Sequence, residues 1–170
     1  SLKYAKEKMS YYFENPYARI GLVSIPLAII LTLLYQGRYS GLGTDLIAAA
    51  CGGQTIFAYD WLLKMLLTVL TLSIGFQGGE VTPLFSIGAS LGVIVGEVFG
   101  LPPEVCAALG YAAVFGSATN TLMAPVLIGL EVFGADNALA FALVCTVAYL
   151  VNGNRSIYTA QQIDFAQINK

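Results

Sequence analysis

Long stretches of this 170-residue chain carry no charged side chain or only one, and no other feature limits its fold so strongly. Residues 20–37, 105–130 and 137–152 are uncharged, and between Lys64 and Glu97 the single formal charge is Glu80. A helix over residues 20–37 would extend about 27 Å, close to the hydrocarbon thickness of a bilayer. Hydrophobic types make up 57% of the chain and charged types 11%, whereas a water-soluble domain carries roughly a quarter charged residues. The solvent implied is lipid.

The same composition narrows the functions. A net charge of -2 leaves no basic field to hold a nucleic-acid backbone. Cys51, Cys106 and Cys145 stand far apart in apolar stretches, with neither metal-ligand spacing nor the even count of a disulfide scaffold. They read as small buried hydrophobes. The chain has no histidine, so the usual zinc ligand and the usual catalytic base are both missing. No metal, cofactor or catalytic residue is assigned, and an enzyme is not expected.

Glycine and proline divide the apolar runs into short helices. Residues 20–37 form a first span. Lys3, Lys6, Lys8 and Arg19 on its N-terminal side, against Arg38 on the other, place a lead-in of residues 1–19 in the cytoplasm. A segment near residues 44–51, bracketed by glycines, is too short to cross. A second run, residues 61–76, carries Lys64 near its start, where the side chain can snorkel to the interface. It then meets Gly78, Gly79, Glu80, Val81, Thr82 and Pro83, through which a helix passes poorly. A new helix is expected to start at Pro83 with Thr82 as its N-cap and to run to about Phe99. Helices near residues 103–118, 122–132 and 137–152 follow, and residues 157–170 read as a terminal helix or tail. The fold expected is all-α, a polytopic membrane protein with broken and re-entrant helices.

Broken helices leave backbone N–H and C=O groups unpaired, which lipid does not tolerate unless the break lines a polar cavity or is buried in protein. Transporters place substrates at such breaks. Glu80 sits at this one, and a charged side chain at mid-membrane costs roughly 2.5 to 3.5 kcal/mol on insertion scales. Desolvation disfavours its ionised form, so it could take up and release a proton near neutral pH. The plainer alternative is that Glu80 complements the positive end of the next helix. Thr82 supplies a hydroxyl, and Leu84, Phe85 and Ser86 are expected to supply first-turn N–H groups, a set of neutral donors suited to an anion that must also leave. Thr82 could equally do no more than cap its helix.

The run Gly79-Glu80-Val81-Thr82-Pro83-Leu84-Phe85, followed by Ser86-Ile87-Gly88-Ala89-Ser90-Leu91-Gly92, resembles the second-half anion-binding loop of CLC chloride channels and transporters. Chloride-type members show Gly-x-Phe-x-Pro. This chain keeps Gly79 and Pro83 but has Val81 in place of the phenylalanine and Glu80 before it, and in this it is similar to the CLC-F branch of bacterial fluoride/proton antiporters. The stretches around residues 110–115, 124–127 and 131–134 resemble the family's next helix pair, and Ser156-Ile157-Tyr158 resembles the segment that presents its pore tyrosine.

The resemblance implies that residues 1–170 are the second, C-terminal half of a CLC-type membrane domain, one of two inverted repeats, whose N-terminal half lies in a longer protein. It makes Glu80 the proton-coupling carboxylate, Val81, Thr82, Leu84 and Phe85 the anion-recognition loop, Gly78, Gly79 and Pro83 its break, and Tyr158 a hydroxyl donor to the central anion. Taken alone, Tyr158 could be one more interfacial tyrosine. The implied partners are fluoride or chloride, protons, membrane lipids and a second copy in a homodimer. The implied place is the cell membrane, a bacterial inner membrane if the fluoride branch holds.

Three other readings compete. Chloride conduction or chloride/proton exchange could use the same scaffold, or the chain could be a non-transporting membrane scaffold half. Gly88-Ala89-Ser90-Leu91-Gly92 also matches the Gly-x-Ser-x-Gly pattern of a serine hydrolase, but the chain has no histidine and Ser90 falls inside an expected continuous helix. Glu97 and Glu131 read as rim acids near helix ends, Arg155 as a surface anchor, and Gly88, Gly92 and Gly96 as a close helix-packing stripe.

Overall fold

The computed structural model describes residues 16–76 and 78–158. Most of the lead-in and of the terminal tail, residues 1–15 and 159–170, lies outside these. The described residues form seven α-helices and no strand: α1 (Pro16–Leu33), which runs on through the 3-10 turn Leu34–Gly37, α2 (Thr44–Cys51), α3 (Asp60–Ile74), α4 (Val81–Phe99), α5 (Pro103–Thr119), α6 (Met123–Phe133) and α7 (Ala138–Asn152). By length and composition α4 could cross a membrane alone, and α6, α7 and the Ile20–Leu33 part of α1 are shorter apolar helices. α3 stops at Gly75, whose φ of 112° a side chain would strain.

The start of α4 differs from the sequence expectation. The helix begins at Val81 with Glu80 at the N-cap position, so Thr82 lies in the first turn and does not cap. Proline is tolerated throughout the first turn, because the amide it lacks would have no helical acceptor there. Pro83 therefore sits inside the helix without breaking it.

α4 and α5 form the centre of the molecule. A Cβ on Gly88 would lie 2.3 Å from the Gly110 carbonyl oxygen, and one on Gly92 would lie 2.1 Å from that of Cys106. The two backbones are therefore in direct contact, as the small-residue stripe suggested. Phe85, near the start of α4, stacks on Tyr111 of α5 with ring centroids 4.0 Å apart and leans on Phe115. α2 covers this pair through Ala49 and Ala50, while α7 buries Phe141 and Cys145 against Ala108 and Ala112. Outward, Leu22, Ile25, Leu33, Val98, Leu139 and Val151 are exposed, an apolar periphery suited to lipid.

The first turn of α3 anchors the loop that precedes α2. Asp60, fully buried, accepts from the Arg38 guanidinium at 2.9 Å, from the Phe57 amide at 3.0 Å and from the Tyr39 hydroxyl. Burial and the hydrogen bond to Asp60 raise the Tyr39 pKa above its usual value, which keeps the phenol protonated as a donor. Asp60→Asn weakens three charge-assisted bonds while leaving the shape intact. It is expected to cost about 2 kcal/mol, measured as a lowered midpoint of thermal unfolding of the detergent-solubilised full-length protein.

Candidate functional site

The break between α3 and α4 is built from residues with little to fill it. Beta carbons on Gly78 and Gly79 would meet open space, and neither residue has a positive φ. The two glycines thus leave the main chain uncovered. Glu80 and Thr82 are half-buried at the mouth of α4. With the helix starting at Val81, the amides from Leu84 onward enter the i to i−4 ladder, and those of Val81 and Thr82 remain free. This corrects the donor set expected from the sequence: the Leu84, Phe85 and Ser86 amides are committed to the helix. The side chains of Phe85 and Val81 belong to the core cluster with Tyr111, so they hold the loop and its backbone makes the donors.

Beside the break lies a cavity of about 250 Å³, whose walls include Lys64, Thr68 and Thr71 of α3 together with Gly78, Gly79 and Pro83. Lys64 does not snorkel, as the sequence suggested. It is 2% exposed, and its ammonium donates to the carbonyl oxygens of Tyr39 and Gly41, both at 2.9 Å. It has no carboxylate partner among the described residues, and one of its three protons is uncommitted. The Thr68 and Thr71 hydroxyls already donate to helix carbonyls. Folding thus brings the Lys64 amine to the edge of the break, a feature hidden by the sequence distance between Lys64 and Glu80.

Tyr158 does not line this cavity. Its segment docks on the C-terminal end of α5: the Ile157 amide donates to the Ala118 carbonyl at 2.9 Å, and the Ser156 hydroxyl to that of Thr119 at 3.1 Å. The Tyr158 side chain is 37% exposed. Sequence reading missed the asparagine cluster behind this docking, in which the Asn120 carboxamide donates to Asn154 and accepts from Asn152. The only hint was the crowding of asparagines at two helix ends.

Ser90, the residue of the hydrolase pattern, is fully buried in mid-helix and donates its hydroxyl to the Ser86 carbonyl at 2.7 Å. It occupies no strained turn, and its hydroxyl has no basic hydrogen-bond partner among the described residues. Glu97, Glu131 and Arg155 are exposed, in line with their reading as rim residues.

Residues 2–153 match the family described as voltage gated chloride channel. The chain is 36% identical over 162 residues to a chloride/fluoride channel protein of Pseudomonas syringae pv. tomato, covering 94% of this chain and 36% of that protein. It is 30% identical over 95 residues to an uncharacterized protein of Methanocaldococcus jannaschii, covering 56% of this chain and 24% of that one. The crystal structure of a CLC-type fluoride/proton antiporter superposes with a TM-score of 0.90 at 57% identity, over 96% of this chain and 41% of that one. The chain therefore spans well under half the length of these relatives.

Proposed function

Since the chain belongs to the voltage gated chloride channel family, a family of membrane transport proteins, we propose that it is the second half of the membrane unit of a fluoride/proton antiporter. The observation that carries this reading is the acid at the break: Glu80 at the N-cap position of α4, next to the free amides of Val81 and Thr82 and the Thr82 hydroxyl. Fluoride is small and accepts hydrogen bonds strongly, so these donors can replace part of its water shell. A carboxyl among them binds the anion best when protonated and repels it when ionised. Alternation between the two forms couples halide movement to proton movement.

In this reading Gly78, Gly79 and Pro83 keep the break open, Leu84 and Phe85 form its apolar wall, and Tyr158 donates its hydroxyl to the same anion. Lys64 adds a positive potential at the edge. The remaining half of the bundle, a second copy of the chain and a bacterial inner membrane complete the proposal.

The test is efflux from vesicles that hold the full-length protein. Fluoride-loaded vesicles are expected to release fluoride with proton uptake, and chloride-loaded ones to release chloride much more slowly; equal rates would return the scaffold to the chloride reading. Thr82→Val, which removes one hydroxyl and keeps the volume, is expected to weaken fluoride binding about tenfold, the loss of one hydrogen bond to an ion. Titration calorimetry reads this directly, and an unchanged isotherm would remove Thr82 from the site.

A further inference from the structure

We infer that Asn120 is a positioning residue that sets the Tyr158 hydroxyl against the anion and thereby governs selectivity among halides. This rests on the reading of Tyr158 as an anion donor. The Tyr158 side chain makes no hydrogen bond among the described residues and is partly exposed, so what the structure fixes is the backbone from which its ring projects. That backbone is held to the end of α5 at Ser156 and Ile157. The Ile157 amide reaches the Ala118 carbonyl, the Ser156 hydroxyl reaches that of Thr119, and the Tyr158 amide in turn donates to the Ser156 hydroxyl at 3.0 Å.

Asn120 closes the arrangement. It is 7% exposed and ends α5 at a φ of 58°, a left-handed conformation that asparagine tolerates better than other residues with side chains. Its Nδ2 donates to Asn154 Oδ1 at 2.9 Å, and its Oδ1 accepts from Asn152 Nδ2 at 3.2 Å. Asn152 also donates to the Arg155 carbonyl. One carboxamide thus ties three segments together: the end of α5, the end of α7 and the strap to Tyr158. Asn120 and Asn154 are also the two described non-glycine residues with positive φ. Backbone held in sparsely populated conformations clusters where geometry matters to function.

The path from this cluster to the break is stiff. α5 touches α4 backbone to backbone at Gly110 and Cys106, and α4 begins at the residues that offer the opposing donors. The spacing of the backbones that carry Tyr158 and Thr82 therefore rests on helix-to-helix contact and on the bonds of residues 156 and 157 to the end of α5. Halides differ in radius by tenths of an ångström, and a donor set held at fixed spacing discriminates among them where a yielding one does not.

The experiment measures the ratio of fluoride to chloride efflux from vesicles containing full-length protein. Asn120→Gly keeps the left-handed turn and removes the carboxamide; Asn154→Gly cuts the same bond from the partly exposed side and serves if the first variant folds poorly. Each is expected to lower the ratio about tenfold, as is Tyr158→Phe, and to have no further effect in a Tyr158→Phe background. Asn154→Asp keeps the acceptor oxygen and is expected to retain the ratio. An unchanged ratio in both glycine variants, or a loss that adds in full to that of Tyr158→Phe, would overturn the positioning role. No change in Tyr158→Phe itself would overturn the reading of Tyr158 and the inference with it.

Discussion

Glu80→Gln is expected to abolish proton-coupled fluoride movement in vesicles reconstituted with the full-length protein. Glutamine keeps the length and hydrogen-bonding capacity of the protonated acid, so the break keeps its shape, but it has no proton to release at any accessible pH. Removing a group that must gain and lose a proton in the reaction typically costs on the order of 10² to 10⁴ in rate. The fluoride-driven change in internal pH should fall by at least about a hundredfold, while calorimetric fluoride binding persists. If coupling survives at the wild-type rate, Glu80 is only the electrostatic complement of the α4 N-terminus and the proton takes another route.

Gly92→Ala should have a large structural effect for a single methyl group. The added carbon would lie 2.1 Å from the Cys106 carbonyl oxygen and 3.0 Å from the Ala107 Cα. Both obstacles are main chain, so no side-chain rotation relieves the clash. The helices must separate, which strips apolar contact from both and misplaces the aromatic stack of Phe85 on Tyr111. We expect a loss of about 3 kcal/mol, the upper end of overpacking costs, seen as a much reduced yield of monodisperse protein and a lowered midpoint of thermal unfolding. Gly78→Ala serves as the control: its Cβ meets open space, so stability should be unchanged.

Much of this architecture is legible in the sequence wherever glycine and proline punctuate it. The α2 boundaries agree with the bracketing glycines, and α5, α6 and α7 begin and end within a residue or so of the expected positions. The α4 start was displaced by two residues because proline at the first helical position is a preference, and the first turn accepts it anywhere. That small shift moved the expected free amides from Leu84, Phe85 and Ser86 to Val81 and Thr82. The Lys64 error had another cause. Snorkelling assumes that the helix end meets water, whereas here residues 38–41 fold across it and present the carbonyls of Tyr39 and Gly41. A bond between an ammonium and a carbonyl more than twenty residues away leaves no trace in local patterning. Neither does the pairing of Asn120 with Asn152 and Asn154, which depends on two helix ends arriving at one corner of the bundle.

The contact of α4 with α5 bears on how such a unit could work. Sliding between helices needs a cushion of side chains that can exchange rotamers, and at Gly88 and Gly92 there is none. The pair behaves as one plank, with Glu80 at one end and, through the α5 terminus, Tyr158 strapped to it. In the proposed transport cycle the pair is expected to stay together as one body, so a cross-link between α4 and α5 should leave turnover of the full-length protein intact.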